Sequence, residues 1–462
     1  MTTTDLATAS AREIAAMIAS RRASPVEVMQ ATLARIARLE PKLNAFRILL
    51  ADQAMAEART AEAAVMRGDA LGPLHGVPAT IKDIQAVKGL PTRRGSPLTP
   101  NDTDTEDAPA VARLRQAGAI FLGKTNMPDR GWIATSDSPL SGPIHNPWKH
   151  GYTAGGSSSG AAALAAAGCA PLHFGSDGAG SIRLPSHFCG VVGLKPTFGR
   201  VPYPPTGGHL LSHGGPIARS AEDAALMLDV MSGPTPMDAT SLPDRYDAAS
   251  LVASVKGMRI AYSPDLGHAR VDPEVAALVA DAVRAFEAMG AHVEQVTPPW
   301  GPQAPEIGRA IWTLLALPML PKPEEEHLLD QGLLAWIRSS TMLAAEASPW
   351  LTRRFAFAVD VARWFEGFDL LLTPAASVAA FPLQQIRPPH WPPHAYDWFS
   401  WAEFSHPFNM AHTPAASVPC GLTSDGLPVG LQIVGPRFAD GRVLGAAAAF
   451  LDARPFTAKP PL

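Results

Sequence analysis

The chain has 462 residues, 47% of them hydrophobic and 17% charged, with 38 Lys and Arg against 42 Asp and Glu for a net charge of −4. That length can bury a sizeable core, and no run of basic residues supplies the field that nucleic acid or an acidic lipid surface needs, so neither partner is expected. Cys169, Cys189 and Cys420 are odd in number and widely spaced without CxxC, which argues against a disulfide framework and a thiolate zinc site.

The N-terminal residues show no basic stretch followed by an apolar one, and no uncharged run approaches the ~20 residues that span a bilayer. Neither export nor a membrane anchor is expected, and the cytoplasm is the default location. Ser10-Ala-Arg-Glu13 and Ser24-Pro25-Val-Glu27 both fit a capping box, the second with proline at the first helical position, so a helix is expected to begin at each. Ile14, Met17 and Ile18, then Met29, Leu33 and Ile36, form their apolar faces. Residues 76–83 and 119–122 read as short strands.

Gly118-Ala-Ile-Phe-Leu-Gly123-Lys124-Thr125 satisfies a phosphate-loop pattern, but Ala, Ile, Phe and Leu suit a buried strand rather than a loop whose N–H groups turn inward, and Pro128 disturbs the helix that should follow. A strand and turn is expected there. Farther on, 258–262, a periodic helix from Asp272-Pro273 to Gly290, and 292–296 compose a β-α-β unit. Alternation of strand and helix signals along the chain predicts an α/β architecture. Between Trp300 and Trp401 the composition shifts to proline-rich stretches at 318–323 and 387–393 and to six tryptophans, Trp312, Trp336, Trp350, Trp364, Trp391 and Trp398. Most such rings are expected to be ordinary core, but as a group they favour an apolar or aromatic ligand.

Two glycine-flanked serines carry the chemistry: Ser157 in Tyr152-Thr-Ala-Gly-Gly-Ser-Ser-Ser159 and Ser181 in Gly175-Ser-Asp-Gly-Ala-Gly-Ser181-Ile-Arg183. Glycines let backbone approach a substrate closely and leave N–H groups free for a developing negative charge, which is the chemistry of acyl transfer. Neither serine has the Gly-x-Ser-x-Gly context of a nucleophile elbow. His173 and His187 flank Ser181 in sequence and are expected to serve packing or polar support. His209 and His213 lie in a glycine-rich stretch without the intervening carboxylate of a zinc-protease helix, so metal binding is not expected. The remaining base is Lys82, in the apolar run Pro78-Ala-Thr-Ile-Lys82. Buried there, its ammonium is disfavoured, and the neutral amine can accept a proton.

Lys82, Gly155-Gly-Ser157-Ser158 and the 175–183 segment together resemble the amidase signature family of serine hydrolases. The similarity is dense over residues 71–220, including Gly72-Pro-Leu-His-Gly-Val-Pro78, Gly123-Lys-Thr-Asn-Met127 and Cys189-Gly-Val-Val-Gly-Leu-Lys-Pro-Thr-Phe-Gly-Arg-Val-Pro202. It resumes at Asn409 and at Gly426-Leu-Pro-Val-Gly-Leu-Gln432. The resemblance implies one α/β domain over 1–462, a twisted mixed sheet covered by helices: N-terminal helices in 1–60, the signature core in 61–232, a variable substrate-pocket region in 233–405 and a return to the core in 406–462.

It further implies Ser181 as nucleophile, Ser157 as bridging serine after a cis peptide, and Lys82 as terminal base. The N–H groups of Gly178, Ala179, Gly180 and Ser181 would form the oxyanion hole, with Ser158 supporting the relay and Asp177 pairing with Arg183. Ala179 stands where glycine is usual, which requires a φ below zero at that residue. No cofactor or metal is implied. The expected activity is hydrolysis of small amides, anilides or carbamates, urethanase-like in the last case, by a monomer or homodimer. The glutamine-hydrolysing component of an aminoacyl-tRNA amidotransferase shares this core, but Val201-Pro-Tyr-Pro-Pro-Thr-Gly-Gly208 departs from the Leu-Val-Ala-Phe-Ala-Ser-Ser pattern of that group. An inactive binding or scaffold protein on the same fold is the third alternative, and retention of all three relay residues argues against it.

Overall fold

A computed structural model describes residues 3–205, 210–340, 344–392 and 398–462. Both capping boxes form as the sequence predicts. Ser10 and Ser24 side chains accept from the backbone N–H of Glu13 and Glu27, whose carboxylates reach back, and the helices Ala11–Ala19 and Pro25–Leu43 follow. The β-α-β unit is likewise present as Arg259–Tyr262, the helix Pro273–Ala288, and His292–Gln295. Pro273 opens that helix, while the Asp272 carboxylate is 3.0 Å from His390 Nε2 rather than on the helix N-terminus.

The strands are β1 (Phe46–Leu49), β2 (Pro78–Lys82), β3 (Ile120–Thr125), β4 (Leu172–Asp177), β5 (Val192–Lys195), β6 (His213–Ala218), β7 (Arg259–Tyr262), β8 (His292–Gln295), β9 (Leu370–Pro374), β10 (Ala415–Leu422) and β11 (Pro428–Val434). They form one sheet in the order β1-β3-β2-β4-β6-β5-β10-β11-β9-β7-β8. Pairing is parallel for β2 with β3 and β4, and for β7 with β8 and β9; the other pairs are antiparallel. This is a single mixed-sheet α/β domain. Every residue of β2, β3, β4, β9 and β11 is buried, because helices cover both faces, and such strands read as continuous apolar runs rather than alternating ones.

The phosphate-loop look-alike is β3. Lys124 is fully buried there, 3.2 Å from Asp83 Oδ1, and Arg47 Nε lies 2.9 Å from Asp83 Oδ2. The tryptophans of the central region divide between two clusters. Trp312, Trp336, Trp391 and Trp398 join Trp132, Trp148 and Trp401 in one, whereas Trp350 and Trp364 pack against another, which holds Trp300; the Trp364 ring meets that of Trp300 edge-on at 5.7 Å.

Candidate active site

Parallel pairing brings the C-terminal ends of β2 and β4 side by side, the end of an α/β sheet at which ligands bind. Lys82 is the last residue of β2, and Asp177 the last of β4. Ser181 lies in the turn between β4 and the helix Arg183–Cys189, while Ser157, after the cis Gly156–Ser157 peptide, precedes the helix Ser159–Ala166.

Lys82 Nζ lies 2.7 Å from Ser157 Oγ, 3.0 Å from Ser176 Oγ and 3.5 Å from Ser176 O. Full burial lowers its pKa to about 7, against a smaller opposing pull from Asp177. The neighbouring carboxylate does not neutralise this effect, because Asp83 is engaged with Lys124 and Arg47. At neutral pH a substantial fraction of Lys82 is therefore an amine with a lone pair. Gly131 keeps room for the Ser157 hydroxyl: its φ is 70°, and a Cβ there would sit 2.9 Å from Ser157 Oγ. Ser181 is 8% exposed, and its Oγ makes no hydrogen bond to another described residue. Lys82 and Ser157 are thus joined directly, whereas Ser157 and Ser181 meet as walls of one cleft.

Asp177 organises the glycine turn. It accepts Gly180 N–H at 2.7 Å, Ile182 N–H at 3.1 Å, Arg183 Nε and Nη2 at 2.9 Å each, and Asn409 Nδ2 at 2.9 Å. Burial alone would raise its pKa, but the Arg183 charge and hydrogen bonds outweigh that and hold the carboxyl well below the usual range. Arg183 in turn donates to Ser405 O and Gln432 Oε1, both at 2.8 Å, and to Asn409 Oδ1 at 2.6 Å.

These bonds fix the turn's peptide planes in alternation. In a trans peptide the C=O and N–H point in opposite directions. The 179–180 plane is held at both ends, Ala179 O accepting from Ser405 Oγ at 2.6 Å and Gly180 N–H donating to Asp177. So is the 181–182 plane, with Ser181 O accepting from Ser158 N–H at 3.1 Å and Ile182 N–H donating to Asp177. Gly180 O accepts from Leu184 N–H at 2.7 Å, which turns Ser181 N–H away from the helix. The N–H groups of Gly178, Ala179 and Ser181 have no acceptor among the described residues.

The arrangement differs from the sequence expectation at Gly180, whose N–H is committed to the Asp177 carboxylate. Glycine is needed there for another reason: φ is 118°, and a Cβ would lie 2.5 Å from Ser405 Oγ. Ala179 is absent from the described residues with positive φ, so its Cβ is tolerated. Ser158 does not touch the hydroxyls of Ser157 or Ser181; its Oγ donates to Ser176 O at 3.1 Å and accepts from Ser176 N–H at 3.2 Å, pinning the end of β4.

The cleft has a free volume of about 100 Å³. Ser157, Ser176, Gly178 and Ser181 lie on its polar side; Trp132, Trp312, Leu315, Ala316 and Met319 form an apolar wall, and Arg130 and Tyr203 also line it. Of the six central tryptophans, Trp312 alone lines this cleft. Its Nε1–H donates to Trp132 O at 3.1 Å, and Trp398 packs edge-on at 5.4 Å.

His173 and His187 are buried polar supports. Thr80 Oγ1 lies 2.8 Å from His173 Nδ1, while His187 Nε2 donates to Val378 O at 2.9 Å and its Nδ1 accepts from Gly430 N–H at 2.8 Å. His213 Nδ1 donates to Leu211 O at 2.6 Å; His209 lies outside the described residues. Sequence reasoning missed Ser176, Tyr203 and Ser405. The position of Ser176 inside the 175–183 glycine motif was a usable signal for the first; the other two carried none.

A large mixed sheet thus carries Ser157, Ser181 and the buried Lys82 close together at its strand ends. Residues 27–444 match the Amidase family. The chain is 41% identical to an acylamidase of Rhodococcus erythropolis, covering all of this chain and 98% of that one. It is 35% identical to a component of the glutamyl-tRNA(Gln) amidotransferase of Moorella thermoacetica, over 95% of each chain. Among solved structures it resembles a bacterial aryl acylamidase of the amidase signature enzymes, with a TM-score of 0.89 at 29% identity and 97% of each chain covered. The chain belongs to the amidase signature family, whose enzymes hydrolyse amide C–N bonds.

No helix among the described residues is long and apolar enough to cross a membrane.

Proposed function

We propose that this amidase cleaves small amides, anilides or carbamates bearing a hydrophobic or aromatic group, through a Ser181–Ser157–Lys82 relay. The observation that carries the reading is the 2.7 Å contact between the buried Lys82 Nζ and Ser157 Oγ. Lys82 takes the Ser157 proton, Ser157 takes that of Ser181, and Ser181 Oγ bonds to the carbonyl carbon. The oxyanion is received by the N–H groups of Ala179 and Ser181, with Gly178 beside them; loss of one such donor costs about 3 kcal/mol at the transition state. As the C–N bond breaks, the relay runs backwards and protonates the leaving nitrogen. Water, deprotonated by the same chain, then attacks the acyl-enzyme and releases Ser181. Ser158, Asp177 and Arg183 hold the turn in place, and the 233–405 region supplies the apolar wall through Trp312, Leu315, Ala316 and Met319.

A panel of nitroanilide, aliphatic amide and aryl carbamate substrates tests this reading. Turnover of aromatic or aliphatic amides, with covalent labelling of Ser181 by a fluorophosphonate, supports it; absence of both returns the chain to a binding role. A second reading, glutamine hydrolysis within an amidotransferase, draws on the 35% identity to the Moorella thermoacetica protein. Glutaminase activity exceeding that on the panel would favour it.

A further inference from the structure

Among the described residues that line the cleft, Arg130 alone carries a charge. It sits in the short turn Asp129–Gly131 with φ at 49°, a left-handed conformation that is strained for a residue with a side chain and is held only where the surroundings impose it. Here the Arg130 N–H donates to Arg94 O at 2.7 Å. Gly131 follows, also left-handed, and a Cβ on it would meet Ser157 Oγ at 2.9 Å. The cation is therefore rooted one residue from the wall of the relay.

The guanidinium reaches Met319 in the apolar wall, where Nη1 donates to Met319 O at 2.9 Å. That bond holds the side chain at the cleft, and only 21% of its surface is exposed. Nε and Nη2 make no hydrogen bond to another described residue. The neighbouring carboxylate, Asp129, keeps Oδ1 3.9 Å from Nε, beyond hydrogen-bond reach. Asp129 is itself fully buried, and its Oδ2 accepts from Asp330 N–H at 2.9 Å. Asp330 is committed as well: its carboxylate accepts from the N–H groups of Gly332 and Leu333 at 2.8 and 3.0 Å, at the start of the helix Gln331–Ser339. The Arg130 charge thus stands beside Trp132, Trp312, Leu315 and Met319 with donors left over.

We propose that Arg130 anchors a carboxylate on the substrate, so that the preferred amides carry an acid group at the end of an apolar acyl or amine part. A guanidinium presents parallel N–H groups that match the two oxygens of a carboxylate. With Nη1 engaged by Met319 O, Nε and Nη2 form the open edge of that fork. A phosphate dianion would find no second cation along the described cleft wall. A neutral acceptor would leave the guanidinium charge uncompensated against apolar side chains, where water screens it less. The inference rests on the proposed amide hydrolysis and names the polar end of a substrate whose apolar part lies against Trp132 and Trp312.

Two matched pairs of substrates test the anchor: the mono-nitroanilide of glutaric acid beside its methyl-ketone isostere, and acetylated para-aminobenzoate beside acetylated para-aminoacetophenone. In each pair a methyl group replaces one carboxylate oxygen, on the acyl side in the first and on the amine side in the second. Wild type should favour the acid in at least one pair by roughly tenfold to a hundredfold in kcat/KM, the scale of a hydrogen bond to a charged group, with most of the difference in KM. Arg130→Met should bring that acid-to-ketone ratio to about one, and Arg130→Lys, which keeps a cation without the fork, should restore part of it. Should Arg130→Met not fold, Arg130→Gln, which keeps a donor for Met319 O and loses the charge, should lower the ratio in the same way. A wild-type ratio near one in both pairs, or a ratio that survives in the uncharged variant, overturns the inference. Hydrolysis without preference, or no hydrolysis while a fluorophosphonate labels Ser181, discards the anchor and keeps the hydrolase; no hydrolysis and no labelling discards both.

Discussion

Asp177 and Arg183 form a two-pronged pair, Nε and Nη2 each 2.9 Å from a carboxylate oxygen, with both side chains fully buried. The same carboxylate takes the N–H groups of Gly180 and Ile182, so one ion pair links the C-terminal segment at Asn409 and Gln432 to the turn that carries Ser181. Asp177→Asn leaves a buried guanidinium uncompensated and should destabilise the protein by about 3–5 kcal/mol, read by denaturant unfolding.

The pair has a definite pH signature. Its carboxyl is held below the ordinary 3.8, so in the folded state it stays ionised where an unfolded chain would take up a proton. Its contribution is fully present above that ordinary value and is lost only as pH falls well below it. Wild type should therefore lose stability more steeply than Asp177→Asn below about pH 4, as followed by unfolding across acidic buffers.

Ser405→Ala releases Ala179 O from its only hydroxyl donor among the described residues. The 179–180 plane would then be held at one end alone, and the neighbouring Ala179 N–H would lose its fixed aim. The expected result is a kcat lower by about tenfold to a hundredfold with KM nearly constant, measured by steady-state kinetics on any substrate the enzyme accepts.

Trp312→Ala removes the ring that lines the cleft and the Nε1–H bond to Trp132 O. A loss of about 3–5 kcal/mol in stability is expected, together with a larger fall in kcat/KM for aromatic than for short aliphatic amides. Equal losses for both substrate types would remove Trp312 from any part in selectivity.

Local chemistry was readable in the residues themselves. The capping boxes at Ser10 and Ser24 depend on side chains three positions apart, and the strand expected at 119–122 showed itself because four consecutive apolar residues suit a buried strand rather than a phosphate cradle. The relay candidates stood out because glycines crowd around both serines and an apolar strand surrounds Lys82. What could not be read is what the chain brings together over long separations. Insertion of β10 and β11 between β5 and β9 has no local marker, nor does the bond from Ser405 to Ala179. The fate of each tryptophan was likewise invisible, since Trp312 and Trp364 differ not in composition but in which cluster their helices meet. Gly180 shows the same limit: its glycine was expected to free an N–H, and the space it leaves is instead taken by Ser405.

Ser181→Ala should abolish both hydrolysis and fluorophosphonate labelling while leaving the melting temperature near wild type, because the Ser181 hydroxyl holds no described partner whose loss would weaken the fold. Labelling that persists in this variant would move the nucleophile elsewhere.

The pH dependence of kcat/KM tests the central claim most directly. With Lys82 brought to about 7 by burial, its amine is scarce on the acid side and complete on the alkaline side, so kcat/KM should rise through a midpoint near neutrality to an alkaline plateau, and Lys82→Ala should remove the activity altogether. A profile that stays flat from mildly acidic to basic pH, or a Lys82→Ala enzyme that still turns over at the wild-type rate, would contradict the account.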